Sequence, residues 1–407
     1  MHLYDLPLWF ALVGLALYTV LGGADFGAGF WQLVAGKGKQ ADEIRDEAHH
    51  AMAPVWEANH VWLIFIITVV WTAYPAAFGS IASTLSVPLF IAAIGIVMRG
   101  GAYALRAGTR TAAEQRRVDT VFAVSSVLTP FALGTVVGAL ATERVHVGNP
   151  GGSLWTSWLN PTSAVIGVLA VASGAYTSAV FLCGDAERHG EHALADRFRT
   201  RALGAGLAAG AVAIAGLVVL HFDGERIFRR LTEGAGLPGL IVSVVAGVGT
   251  LALVWRRRYE PARYAAALAV AATIAGWALA QNPVFLDGLT IRQAAAGHDT
   301  LVAVVVSTLA GAVLLFPALT LLFRLTLGGE LRDTEGVPEA PGRYRGRALG
   351  SGRLDARLAV AFLLGGIGFL TIAEAGWAHG IGVACFFGFI LSGYQAALPT
   401  DVLDGGE

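Results

Sequence analysis

Apolar runs of membrane-crossing length alternate with short polar stretches along most of the chain. A helix that crosses a bilayer needs about 20 apolar residues, because hydrocarbon offers no partner to an unpaired backbone amide. On that criterion the pattern predicts nine spans, near 6–34, 52–73, 79–98, 119–141, 160–183, 202–221, 238–255, 264–281 and 300–323. The first run is too long for a minimal crossing and is Gly-rich in its second half. It does not read as a cleavable signal peptide, since no Lys or Arg precedes it. After the ninth run, 326–357 reads as an Arg/Gly/Pro-rich linker. The remainder, 358–407, carries an extra membrane segment over 358–396, broken by Glu374, Gly376, Trp377, His379 and Gly380. One tilted helix would hold it. A hairpin of two short spans turning at 374–380 also fits, because Trp and charged residues favour the interface.

Composition agrees with an all-α polytopic membrane protein. Only 14% of the 407 residues are charged and the mean hydropathy is +0.63, whereas soluble domains carry about 25% charged residues. A soluble enzyme, a disordered chain and a disulfide scaffold are excluded on that ground. A net charge of −1 gives no field for capturing nucleic acid. Cys183 and Cys385 lie in separate apolar stretches and specify neither a zinc site nor a disulfide framework. Charge also sets the predicted orientation. With the N-terminus outside, 23 of the 28 basic residues fall in the inside loops and 5 in the outside loops, as the positive-inside rule demands. The stretch 326–357 is then cytoplasmic.

Ionisable side chains within a bilayer cost roughly 2.5–3.5 kcal/mol each on insertion scales, so each asks for a reason. Asp25, Glu57 and Arg99 all fall in the predicted cytoplasmic half or edge of their helices. Asp25 stands in Gly22-Gly23-Ala24-Asp25-Phe26-Gly27-Ala28-Gly29, where Gly23 and Gly27 form a GxxxG suited to close helix approach. Glu57 stands in Pro54-Val55-Trp56-Glu57-Ala58-Asn59-His60-Val61-Trp62, with Pro54 in a first helical turn and His60 one turn beyond Glu57 on the same face. That carboxylate–imidazole stack reads either as a proton relay or as a dipole-complementing Glu beside a core His. Arg99, at the end of the third predicted span, reads either as a snorkelling side chain or as a counter-ion for Asp25 or Glu57. Membrane-depth histidines are few, and no two share a helix at haem- or metal-ligand spacing.

These motifs carry a resemblance. The first-span Gly-Gly-Ala-Asp-Phe-Gly-Ala-Gly, the second-span Pro-Val-Trp-Glu-Ala-Asn-His-Val-Trp-Leu-Ile and the basic end of span three resemble subunit II of the cytochrome bd quinol oxidases. So does Ala280-Gln281-Asn282-Pro283 through Leu289-Thr290-Ile291. The resemblance covers about 1–325 and says nothing of 326–407. It implies a nine-helix fold of two four-helix bundles plus one helix, in a bacterial cell (inner) membrane. It implies a partner, the haem-bearing subunit I, with two b-type haems and one d-type haem (or a b-type in its place), and at most a small single-span third subunit. Quinol is the implied substrate and dioxygen the acceptor, with protons drawn from the cytoplasm. No haem is expected on this chain alone, and no metal. The resemblance maps Glu57 and Asp25 onto the proton path, with His60 and Asn59 as relay groups. Arg99 and Trp56 are then contacts to the partner or to a haem propionate. The family often has Asp at the Glu57 position and Gln at the His60 position. A secondary transporter is the rival class, but spans six to nine hold no matching intramembrane carboxylate. An orphaned scaffold subunit is the other rival.

Overall fold

The computed structural model describes residues 2–36, 38, 56–106, 112–148, 153–327 and 352–371, with scattered positions between 377 and 392. The chain divides into two compact units, 1–317 and 318–407. In the first, a single rod over Leu3–Val34 is made of α1 (Leu6–Leu17), a π-helical turn (Tyr18–Gly22) and α2 (Gly23–Val34). The remaining helices of this part of the chain are α3 (Trp56–Ala73), α4 (Pro75–Thr84), α5 (Ser86–Arg106), α6 (Ala112–Ala141), α7 (Pro161–Arg188), α8 (His192–Asp223), α9 (Glu225–Thr232), α10 (Leu237–Trp255), α11 (Tyr259–Gln281), α12 (Ile291–Ala294) and α13 (His298–Leu327). A two-stranded antiparallel hairpin, β1 (Val284–Leu286) with β2 (Leu289–Thr290), joins α11 to α12.

Among the described residues eight helices are long and apolar enough to cross a membrane, or nine if one bent pair counts as a single span. The bent pair corrects the third predicted span. The segment expected to cross over 79–98 is divided: α4 turns by 119° from α3, and the crossing helix α5 starts only at Ser86. Pro75 explains the break, since it has no amide hydrogen to continue the α3 ladder and disfavours helical geometry at Tyr74. Arg99 therefore lies inside α5, not at its end. Elsewhere the helices overrun the apolar runs at their polar ends, as where α8 begins at His192 rather than at 202. Hydropathy detects only the part of a helix in hydrocarbon, while the backbone ladder continues into the headgroup layer.

Two apolar clusters fill the interior of this unit, one at each end. The first packs Trp31, Phe122, Val180, Leu182, Phe198, Val254 and Tyr259 from α2, α6, α7, α8, α10 and α11. The second, around Tyr74, Leu85, Val145, Trp158, Leu286 and Ile291, seals the end that carries the hairpin. There the Tyr74 hydroxyl donates to Tyr4 O at 2.6 Å and accepts from Leu8 N at 3.0 Å, pinning α1 to the α3–α4 corner. Several polar side chains on this end pair locally. Arg144 pairs with Asp223 at 2.5 Å, Arg226 with Glu143, and His146 with Asp287 at 2.8 Å. Arg230 caps the last turn of α11, donating to Ala280 O at 2.6 Å and Asn282 O at 2.5 Å.

In the second unit a helix, α14 (Gly352–Thr371), begins inside the stretch read as linker. Cys385 and Gly388 lie against Gly365 and Phe362, so the chain doubles back along this helix. Most of the expected turn, including Glu374, Gly376, His379 and Gly380, lies outside the described residues.

Candidate functional site

Close packing of small residues places the ionisable ones. A Cβ on Gly27 would stand 2.0 Å from Gly174 O on α7, and one on Gly29 would stand 2.2 Å from Ser126 Oγ on α6. The glycine spacing thus draws α2 against two helices at once, as a small-residue motif in a membrane does. Asp25, on the same stretch of α2, is carried into the interior.

Arg99 meets it there. Arg99 Nη2 donates to Asp25 Oδ1 at 2.5 Å and lies 3.3 Å from Asp25 O, and Nη1 donates to Ser126 Oγ at 3.1 Å. The two side chains are 2% and 1% exposed. The guanidinium faces two aromatic rings, with its carbon 4.7 Å from the Phe26 centroid and 4.4 Å from that of Phe122. Ser126 relays the arrangement to its own helix by donating to Phe122 O at 2.6 Å. Pro130 withholds the amide hydrogen that Ser126 O would otherwise accept, loosening α6 beside the site. Arg99 is therefore a buried counter-ion to Asp25, and the snorkelling reading is set aside.

Helix α3 brings Asn59 and His60 to the same place. Asn59 is buried and donates to Leu21 O in the π-turn at 3.2 Å. The His60 ring sits 6.5 Å from Tyr18 and 6.4 Å from Phe26, within the electrostatic reach of Arg99. Trp56 and Glu57 open α3, so Glu57 lies one turn before His60 along the helix. Their side chains lie outside the described residues. Of the six residues singled out from the sequence, four converge: Asp25, Asn59, His60 and Arg99.

Three neighbours were not anticipated. Tyr18, Ser126 and Phe122 complete the enclosure, and nothing in their local sequence distinguishes them from ordinary membrane-helix residues. The buried oxygens and nitrogens here are not all satisfied by protein. Tyr18 Oη, Asp25 Oδ2, Asn59 Oδ1 and Arg99 Nε have no hydrogen-bond partner of ordinary geometry.

Among the described residues, two of the histidines in membrane-spanning helices are packed against aromatic rings. His60 is packed between Tyr18 and Phe26, and His221 lies edge-on to Phe222 and Phe228 at 4.9 and 4.8 Å. A cleft of about 390 Å³ between the ends of α7 and α11 is lined by Glu187, Arg188, Arg257, Arg258, Tyr259 and Glu260, without a soft or imidazole ligand. Among the described residues no three His, Cys, Asp or Glu side chains group as metal ligands.

Comparison with known proteins agrees with this architecture. The sequence model of the cytochrome bd terminal oxidase subunit II family matches residues 6–326. A chain of the bd oxidase from Geobacillus thermodenitrificans is similar in structure, with a TM-score of 0.64 and 25% identity, covering 80% of this chain and 99% of that one. The cytochrome bd ubiquinol oxidase subunit 2 of Bacillus subtilis (strain 168) is 27% identical over 135 residues, 33% of this chain and 39% of that protein. A second protein of that organism, provisionally described as a cytochrome bd menaquinol oxidase subunit II, is 25% identical over 114 residues, 28% of this chain and 32% of that protein. The matched stretches thus span little more than a third of the curated relatives' length. With the family match running through all the described helices from α1 to α13, the chain belongs to the cytochrome bd terminal oxidase subunit II family.

Proposed function

We propose that this chain is the proton-delivering and scaffolding subunit of a quinol oxidase in a bacterial cell membrane. A haem-bearing subunit I carries the redox chemistry, oxidising quinol and reducing dioxygen to water with haems b and d, or b alone. A small single-span subunit would complete the assembly. The N-terminus lies outside, so the stretch between α2 and α3 faces the cytoplasm, a placement its basic residues favour.

The observation that carries this reading is the convergence of Asp25, Arg99, Asn59 and His60 in the interior, with Glu57 one helical turn toward the cytoplasmic end of α3. A carboxylate at a helix entrance can exchange protons with bulk water. A second carboxylate, paired with a fixed cation in the interior, gives those protons an inward destination. Glu57 takes up the proton, His60 and Asn59 relay it, and Asp25 receives it. Arg99 serves as the counter-ion of Asp25. Trp56 remains the candidate contact to the partner.

The test is Glu57→Gln in the complex co-expressed with its haem-bearing partner. Quinol-oxidase turnover should fall about 10²–10⁴-fold, the usual loss for a general acid–base group, with haem content retained. Glu57→Asp should be tolerated and His60→Gln should be mild. Full turnover by a haem-replete Glu57→Gln complex overturns the reading.

A further inference from the structure

Tyr18 starts the π-helical turn, is 5% exposed, and lays its ring over its own helix, where a Cβ on Gly22 would come within 3.3 Å of it. That ring is edge-on to Phe26 at 6.4 Å and tilted to His60 at 6.5 Å, so its direction is fixed from two sides. Phe26 carries the Arg99 guanidinium carbon at 4.7 Å from its ring centroid, so Tyr18, His60 and the Asp25–Arg99 pair gather around one ring. Tyr18 Oη, Asp25 Oδ2, Asn59 Oδ1 and Arg99 Nε are each shielded from bulk solvent and lack a protein partner of ordinary geometry.

Their chemistry is complementary. Arg99 Nε offers a hydrogen, Asp25 Oδ2 and Asn59 Oδ1 accept one, and a phenol does both. A buried polar atom left unsatisfied loses its hydration with nothing in exchange. A buried water is held by roughly two to four such groups. We propose that these four atoms bind internal water beside the Asp25–Arg99 pair, and that Tyr18 is a positioning residue which orients this water for proton delivery to Asp25. The inference rests on the proton-delivery reading and adds to it a ligand, water, and a residue outside both sequence motifs.

Tyr18→Phe in the co-expressed complex removes the hydroxyl and keeps the ring against Phe26 and His60. Turnover should fall on the order of 3- to 10-fold, the loss expected for one hydrogen bond. The solvent deuterium isotope effect on turnover should rise, because proton delivery becomes more limiting. Haem content should be unchanged. A purely structural role would not raise the isotope effect. Turnover and isotope effect equal to wild type overturn the proposal, as does a Tyr18→Phe complex that loses its haem. The wild-type complex supplies a second measurement: a cryo-EM map that resolves ordered water should place one within hydrogen-bond distance of Tyr18 Oη and Asp25 Oδ2. A map that resolves water elsewhere but none there overturns it. Glu57→Gln separates the two ideas. If it abolishes turnover while Tyr18→Phe does nothing, the water site is wrong. If neither variant matters, the proton-delivery reading itself fails.

Discussion

Removing the charge of Arg99 should be among the most destabilising single changes in this chain. In Arg99→Met the apolar stem is kept, but Asp25 loses its 2.5 Å partner while only 2% exposed. Breaking a buried ion pair from one side costs about 3–5 kcal/mol, because the stranded charge has no water to turn to. The two ring faces at 4.4 and 4.7 Å lose a cation as well. Asp25→Asn strands the other charge: an amide oxygen still accepts from Arg99 and Ser126 Oγ at 3.1 Å still accepts from Nη1, but a guanidinium cannot shed its proton, so the cost is again about 3–5 kcal/mol. Combining the two changes removes both charges, so the double variant should be more stable than the sum of the single losses predicts. The coupling should be at least about 1 kcal/mol and at most about 3 kcal/mol. Unfolding in mixed dodecyl maltoside–SDS micelles, followed by tryptophan fluorescence, measures all four corners of the cycle. Additive losses, with coupling under about 0.5 kcal/mol, would falsify the claim that the pair acts as a unit. Turnover separates structure from proton transfer. A double variant that assembles with full haem should still be slow, and wild-type turnover in it removes Asp25 from the proton path.

The glycines give a paired expectation. Gly27→Ala drives a methyl to 2.0 Å from Gly174 O, which is backbone and cannot yield, whereas Gly23→Ala finds nothing closer than 3.7 Å. The first should cost about 1–3 kcal/mol or more and lower the thermal midpoint of the complex, and the second should leave it level or higher. Equal behaviour of the two refutes the packing argument. Arg230→Ala strands the carbonyls of Ala280 and Asn282 and should cost about 1–3 kcal/mol. Protease digestion should then cut sooner between 282 and 297, and an unchanged cleavage pattern would count against the capping role. Orientation is checked at Gly342→Cys, in the basic stretch after α13. An impermeant maleimide should leave it unlabelled in intact cells, and efficient labelling from outside reverses the topology.

Sequence reading went furthest where the signal is long and one-dimensional. Runs such as 202–221 announce a helix because the bilayer imposes a minimum length on any apolar crossing. The α3–α4 corner was hidden because Tyr74 and Pro75 interrupt the apolar run without adding charge. Hydropathy simply continues past them, and the third span was placed too early as a result. Asp25, Glu57 and Arg99 stood out because charge is rare at this depth. Which of them pair is a three-dimensional matter. It depends on Gly27 and Gly29 letting α2 sink against α7 and α6, and on α5 beginning at Ser86, which carries Arg99 away from the membrane edge. Tyr18 and Ser126 gave no signal at all. Hydroxyls are common in membrane helices, where they usually bond to their own backbone, so only contact reveals the two that do more.

The π-helical turn at Tyr18–Gly22 divides the first span into two lengths with separate allegiances. Above it, Gly14 faces Phe65 and Ile66 of α3, and below it Gly27 and Gly29 face α7 and α6. One residue of an α-helix subtends about 100°. Deleting a single position within this turn would leave an acceptable helix by every local criterion. It would also swing the whole lower half by about a quarter of a revolution relative to the upper. Asp25 would then point away from Arg99, and Gly27 would turn its bare edge from Gly174. Point substitutions at 19–21 can be absorbed one side chain at a time, but a change of length there cannot. The spacing between the two glycine-bearing halves is therefore expected to vary less across relatives than the residues that occupy it, and the turn acts as a phase lock on the first span.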